Sequence, residues 1–559
     1  MSLQSLRLAL SQPSTSVQLC LVGLAGGLIS AFVIILFRWL LSLSHVFMLD
    51  GIGNYAALVP EYRLALPIVA VCFIIVVAKL TGFKHYRMGI PFVIHRVKQF
   101  YGHIPMRTTI NQFFGGLFAL ASGFVVGKEG PTVHLAAWAS HLVGHWLSAP
   151  FNSLRILAGC GIAAGISAAF NTPLAAVIFV MEVVLREYKV HIFIPVMLSA
   201  ACGSVLTRAV FGDVSELSFL SFTPVPVQQL PFLVLMGIVI GVAASQFNRQ
   251  LMWLMRLFRP VNMMGRLFIA AFVTGIAGYS MPQAMGAEFI NVYHFINSEF
   301  TMQGLMLLLF VKFALAIVAI GLGVPGGIIG AVMVIGMLLG LLLMQLMQPI
   351  MPLMEQDMTT TYALLGLAGF LASVLHAPMA ALTAAMELAA SPQAVLPSII
   401  VIVSAYVTAK QMCNNRSVFI QQLEYQGLPY TTSVIRDVLQ QTGVMAMMKT
   451  DIKVFKFAAD KALYDHLQEH PEQTLINQTS DHLSSCQIVE LNVSLQENES
   501  ALSMQDTQVL SQQHTLADVY DALQTRRQGA VIISGLDGKE ICGVITWNMV
   551  HNYMQRQQH

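Results

Sequence analysis

From residue 17 to residue 407 the chain is a succession of apolar runs, and many are the wrong length. About 20 apolar residues are needed to cross the hydrocarbon core of a bilayer as a helix. Val17–Leu41 and Leu305–Leu322 suit that, but Leu174–Met181 and Met379–Met386 are too short, and Ile156–Phe170 and Gly326–Met347 are interrupted by glycine. Irregular backbone at membrane depth survives only where protein buries it or where it lines a polar cavity. Short, interrupted segments at corresponding places in two halves mark the binding site of a transporter. The chain is 56% hydrophobic and 10% charged, where a soluble chain carries about 25% charged residues. It therefore reads as an all-α, multi-pass integral membrane protein. Val17–Leu41 is too long for a signal-peptide core and lacks a small-residue cleavage site, so it is expected to remain as the first span.

The halves correspond. Leu157–Glu182 and Leu364–Glu387 each run from a small-residue segment through a proline to an apolar segment closed by Met-Glu. Pro173 precedes Glu182 by the same interval as Pro378 precedes Glu387. An internal repeat is the reading, and inverted repeats are a transporter architecture. Glu182 and Glu387, as repeat mates, are expected to serve helix ends or nearby arginines. Arg186, four residues on, is within reach of Glu182 along a helix.

One acid stands out. Glu129 lies in Gly127-Lys128-Glu129-Gly130-Pro131, between the apolar runs Phe113–Val126 and Val133–Leu147. Proline suits a first helical turn, so a helix is expected to start at Gly130-Pro131. Its exposed N–H groups would make an anion site, with an anion already beside it. Such an acid reads either as a functional intramembrane group or as a loop glutamate at the membrane–water boundary, and this stretch alone leaves both open.

Other chemistry is excluded by pattern. The 30 basic and 28 acidic residues nearly cancel, so no basic excess speaks for nucleic acid. The seven cysteines form no CxxC pair and the sixteen histidines no HExxH spacing; no disulfide framework, metal or cofactor is expected. No His, Ser or Cys is set with an acid at catalytic spacing, so the chain is not read as an enzyme. A membrane-bound sensor with a cytoplasmic output domain is the alternative from another class. Basic residues from Lys79 to Arg107 surround Met88-Gly89-Ile90-Pro91, which places residues 81–107 on the cytoplasmic side.

The expected organisation is an N-terminal surface segment at 1–16, a transmembrane domain at 17–424 and a soluble region at 425–559. In the last, Thr515–Gln524 is predicted as a helix, Ala530–Ser534 and Ile541–Thr546 as strands joined by a turn at 535–539, and Trp547–Met554 as a short helix. The polar stretch 493–513 is predicted to be a flexible connection.

These motifs resemble the CLC family of chloride channels and proton-coupled anion antiporters over about residues 15–422. Gly127–Pro131 is similar to the family's G-[KR]-E-G-P motif, and Arg87–Pro91 to G-S-G-I-P with departures at the first two positions. Gly323-Val324-Pro325-Gly326-Gly327-Ile328-Ile329 resembles G-x-P-G-G-x-F, and Phe170-Asn171-Thr172-Pro173-Leu174-Ala175 matches a further segment. The resemblance implies two inverted repeats of broken, tilted helices, a homodimer in the lipid bilayer with one pathway per subunit, and both termini in the cytoplasm. A bacterial inner (plasma) membrane is the expected location. It implies chloride, or another small anion, as the transported ligand, with protons as possible counter-ions of the exchange.

By the same resemblance Glu129 is the gating glutamate, and Met88, Gly89, Ile90, Pro91, Gly127, Gly130, Ile328, Ile329 and Phe419 form the anion site. Met88 stands where the family has a chloride-coordinating serine, and a thioether offers no donor; backbone N–H groups such as those of Gly89 and Ile90 remain. This also resembles the fluoride-exporting branch. Phe419 replaces the inner-gate tyrosine and Ile329 a phenylalanine. Val183 replaces the glutamate that relays protons in many of the antiporters, as in the family's channels, so the relay is absent. His95 or water is the substitute weighed for it, a solvated histidine being the plainer reading. The tail resembles paired CBS domains, most clearly over Thr515–Met554, with 430–490 as a first copy. Met549 falls where their ribose-binding aspartate would be, which favours a packing or regulatory module over a nucleotide site. A voltage-gated chloride channel-like protein is the leading expectation, with a proton-coupled chloride or fluoride antiporter as the alternative.

Overall fold

The computed structural model describes residues 3–557 except 50, 84–87, 213–216, 218, 290–291, 294–295, 297–300, 349–357, 431–432, 472, 481 and 492–501. The chain divides into two compact units. One joins residues 20–143 and 156–430; the other joins 1–19, 144–155 and 431–559.

The larger unit is helical. In chain order, after the N-terminal α1 (Leu3–Ser11), which belongs to the smaller unit, come α2 (Val17–Leu49), α3 (Pro60–Leu80), α4 (Gly89–Gln99), α5 (Met106–Ala121) and α6 (Glu129–Trp146). Then come α7 (Phe151–Phe170), α8 (Pro173–Phe179), α9 (Val190–Phe211), α10 (Leu230–Leu257) and α11 (Met263–Ser280). The second half continues with α12 (Met302–Gly321), α13 (Ile329–Met347), α14 (Thr359–Leu375), α15 (Pro378–Ala389), α16 (Val395–Val407) and α17 (Val418–Gln426). Among the described residues nine helices are long and apolar enough to cross a membrane, while 173–185, 359–375 and 378–389 are shorter apolar helices. Fixed φ and a missing N–H suit proline to a first turn, and α3, α8, α10 and α15 all carry one there. The basic segment after α3 is not simply a loop, because α4 lies within it.

The repeat is exact in spacing around the centre. Gly123 and Gly323, both at positive φ (84° and 88°), end the approaches from α5 and α12. Gly127 and Gly327 then pair as an isolated antiparallel bridge, Gly127 N donating to Gly327 O at 2.8 Å and Gly327 N to Gly127 O at 2.6 Å. Helices α6 and α13 start two residues later. Two N–H···O bonds thus tie the halves together at membrane depth, where unpaired backbone is costly. Small residues permit close helix approach. A Cβ on Gly366 of α14 would collide with Gly336 O of α13, and one on Gly336 would lie 2.9 Å from Gly366 O.

The smaller unit holds α1, residues 144–155 and the soluble region. Asn152 Nδ2 donates to Leu10 O (3.0 Å) and Gln441 O (3.2 Å), and Gly443 N donates to Ser11 O (2.9 Å). Helix α18 (Val434–Leu439) leads into two similar motifs. In the first, β1 (Ile452–Lys456), α19 (Asp460–Glu469) and β2 (Thr474–Gln478) form a strand–helix–strand unit. The strands are parallel, and β3 (Cys486–Leu491) and β4 (Leu502–Asp506) extend the sheet antiparallel. In the second, β5 (Gln508–Ser511), α20 (Leu516–Leu523) and β6 (Ala530–Ser534) repeat the parallel unit, with β7 (Ile541–Thr546) antiparallel and α21 (Trp547–Gln557) after it. A small α/β region with two strand–helix–strand copies is consistent with a CBS-like tail. Residues 502–511, predicted as flexible connection, are instead β4 and β5; residues 493–501 lie outside the described residues. Edge strands need apolar contact on one face only, and Met504 and Val509 suffice to pack these against the cores. Met549 is likewise a packing residue, set against the core of Leu516, Val519 and Val550.

Candidate functional site

Four helix starts define the site. Met88 is the extended residue before α4 (φ −141°, ψ 177°), and Gly89 at φ 75° makes the turn that points the first N–H groups out of that helix. Ile328 precedes α13, and Ser417 precedes α17, which buries Phe419. Met88, Ile328 and Ser417, the residues before α4, α13 and α17, make no side-chain capping bond of their own. All three contribute to one polar cavity of ≈ 560 Å³, lined by Met88, Gly89, Ile90, Pro91, residues 323–328 and Phe419 among others. Helix N-termini carry about half a positive charge each, and Arg259 and Arg266 also line the cavity, so it suits a small anion. Arg87 of the sequence motif, with Lys84 and His85, lies outside the described residues.

Glu129, the first residue of α6, is 2% exposed. Its carboxylate rests among glycines of both halves. A Cβ on Gly127 would collide with Oε2, one on Gly327 would lie 2.7 Å from it, and one on Gly330 would lie 3.0 Å from Oε1. The carboxylate therefore sits over the start of α13, against a positive helix end. Glu129 and Ile329 line a second, apolar cavity of ≈ 70 Å³ with Phe170, Thr172 and Ala380. The predicted site residues thus fall in two groups. Glu129 and Ile329 face the small apolar cavity, while Met88, Gly89, Ile90, Pro91, Ile328 and Phe419 face the polar one. Gly127 and Gly130 stand between as spacers; a Cβ on Gly130 would collide with Gly326 O. Val183 lies in a wide helical turn at 180–185, 8% exposed, among the linings of neither cavity.

The starts of α8 and α15 are treated differently. Leu174 N and Ala175 N each donate to the Glu387 carboxylate at 2.8 Å, and Met379 N (3.2 Å) and Ala380 N (2.7 Å) donate to Glu182. Each half thus caps a helix of the other. Arg186 does not pair with Glu182; it adopts a left-handed conformation (φ 58°) that ends the helix. His95 is not solvated: it is 7% exposed, with Nδ1 2.7 Å from Pro429 O.

Three residues went unnoticed in the sequence. His134 on α6 is fully buried, stacked on Phe92 at 5.6 Å, with neither ring nitrogen hydrogen-bonded. Lys312 on α12 is fully buried and donates to Gly286 O at 2.8 Å. Gln112 on α5 belongs to the wall of the polar cavity. A polar residue inside an apolar run was the available signal.

Inverted helical repeats whose helix starts meet at one polar cavity define a membrane transporter of small anions. Residues 68–410 match the family described as voltage gated chloride channel. The chain belongs to that family and carries anions across a membrane. It is 28% identical over 316 residues to a ClcB-like chloride channel protein of Ralstonia nicotianae, covering 55% of this chain and 73% of that one. It is 25% identical over 321 residues to the H(+)/Cl(−) exchange transporter ClcA of Vibrio parahaemolyticus, covering 56% and 68%. The solved structure of a slow cyanobacterial Cl−/H+ antiporter superposes with a TM-score of 0.65 at 20% identity, over 74% of this chain and 99% of the other.

Proposed function

We propose that the chain conducts chloride in the manner of a gated channel, with Glu129 as the gate. The observation that carries the reading is the seat of the Glu129 carboxylate, buried over the start of α13. A carboxylate held by a helix end occupies a place that a chloride could take. Protonation removes the charge that the helix end attracts, so the side chain leaves and the ion enters. Met88–Pro91, Ile328 and Phe419 hold the anion inward of the gate by backbone N–H groups and apolar walls. Partial charges bind an ion loosely enough for it to leave again.

A second reading, a proton-coupled antiporter, is favoured by the exchange activity in the name of the Vibrio relative. Val183 speaks against it, since valine carries no proton; Met88, which offers no hydroxyl, leaves fluoride as its alternative ion. The organisation proposed is a homodimer in a bacterial inner membrane, with both termini cytoplasmic and residues 425–559 as a CBS-like regulatory module. Purified protein in liposomes tests both readings. Chloride flux without stoichiometric proton movement is expected. Uphill proton movement driven by a chloride gradient makes it an antiporter, and a strong preference for fluoride replaces chloride.

A further inference from the structure

Gln112 is 0% exposed, and neither its Nε2 nor its Oε1 has a hydrogen-bond partner. Buried side-chain amides are seldom left so, because the lost hydration is not replaced. Its position is the notable part. It lies in the wall of the polar cavity that Met88, Gly89, Ile328 and Phe419 line. Its burial keeps bulk water off the amide, so an ion that displaces the cavity wall enough to reach it meets no competing partner.

The repeat sharpens the point. Gln112 stands fifteen residues before Gly127, and Lys312 stands fifteen before Gly327, its bridge partner. The two are mates on α5 and α12. Lys312 uses its ammonium on the chain's own carbonyls, donating to Gly286 O at 2.8 Å and to Ala284 O and Met285 O at 3.4 Å. Gln112, on the cavity side of the other half, uses neither end of its amide. Met88, Ile90, Ile328 and Phe419 offer no side-chain donor; Arg259, Arg266, Asn262, Gln422 and Tyr425, which also line the cavity, do.

We infer that Gln112 supplies an uncharged side-chain hydrogen-bond donor to the anion site and sets its preference among anions. The inference rests on the polar cavity being the anion pathway. A carboxamide gives two N–H donors and no net charge. It recognises a strong acceptor such as fluoride or chloride, yet holds it less tightly than an ammonium would. That matches a site through which ions must pass.

The test is anion binding by titration calorimetry on the purified full-length protein, with chloride and fluoride as separate probes. Gln112→Met keeps the length and removes the donors. It is expected to weaken binding about tenfold, as loss of one charge-assisted hydrogen bond does. Fluoride, the stronger acceptor, should lose more than chloride, whereas a general packing defect would weaken both alike. Gln112→Lys is expected to tighten binding and slow flux in liposomes, and it decides the matter if the Met variant is not monodisperse. Absence of anion binding to the wild type removes the underlying pathway reading. Binding by the wild type that both variants match, or an equal loss of both anions, overturns the role of Gln112 alone.

Discussion

At the residue scale the central fact is a carboxylate packed on glycine. Glu129 has room only because Gly127, Gly327 and Gly330 carry no Cβ. Glu129→Gln keeps the shape and removes the titration, so its flux in liposomes should no longer respond to external pH. Retention of the wild-type pH dependence would show that another group gates. Gly330→Ala places a Cβ 3.0 Å from Oε1 and also 3.0 Å from Gly127 Cα. That crowds the seat, and flux at high pH, where a seated carboxylate blocks, should rise several-fold above wild type, given that tight contacts of this kind cost about 1–3 kcal/mol. A flux equal to wild type would place the blocking position elsewhere. Glu129 was legible because its signal is local: an acid between two glycines, next to a proline, at the join of two apolar runs. Gln112 and His134 were not, since a lone polar residue in an apolar run gives no hint of whether its partner is present.

At the scale of elements, the chain distinguishes two kinds of helix start. Those of α4, α13 and α17 get no capping bond from their own N-cap residues, the start of α13 instead lying under the Glu129 carboxylate, and those of α8 and α15 are filled by Glu387 and Glu182 from the other half. A charged cap accepting two N–H bonds contributes about 1–2 kcal/mol. Glu182→Ala and Glu387→Ala should each lower the thermal midpoint of the purified protein by a few degrees, with little effect on anion preference. Unchanged midpoints in both would mean that lipid or water replaces the caps at no cost. The pairing of the two Met-Glu closures as repeat mates was legible from their spacing after Pro173 and Pro378. Their use was not, because each carboxylate reaches a helix start about two hundred residues away. The strands β4 and β5 escaped for a different reason: their side chains are mostly polar, and what fixes them is pairing with β3 and β6.

At the scale of the molecule, the polar cavity and the glutamate proposed to gate it lie within one unit. All residues that line the polar cavity fall between 88 and 426, and Glu129 and its glycine neighbours fall in the same unit. Deletion of residues 431–559 should therefore leave the chloride-to-fluoride ratio of the flux unchanged while altering its rate or regulation. A changed ratio would assign the tail a direct part in selectivity. The membrane class and the paired halves could be read from runs and spacings alone, since length and apolarity are one-dimensional properties. The membership of α1 and residues 144–155 in the same unit as the tail could not, because it depends on hydrogen bonds such as Asn152 to Leu10 that join distant stretches.

The crossed caps carry a historical consequence. Contacts in which one segment's acid serves the other's backbone, and the reverse, are what a two-fold axis produces between identical subunits. Glu182 with Ala380 and Glu387 with Ala175 keep that form inside a single polypeptide. An ancestor half this length, inserted in both orientations and pairing with itself, would have made both bonds from one glutamate. Today the two copies differ at the centre: residue 129 is an acid where residue 329 is isoleucine, and residue 112 is an amide where residue 312 is a lysine. The supports keep a symmetry that the centre has not.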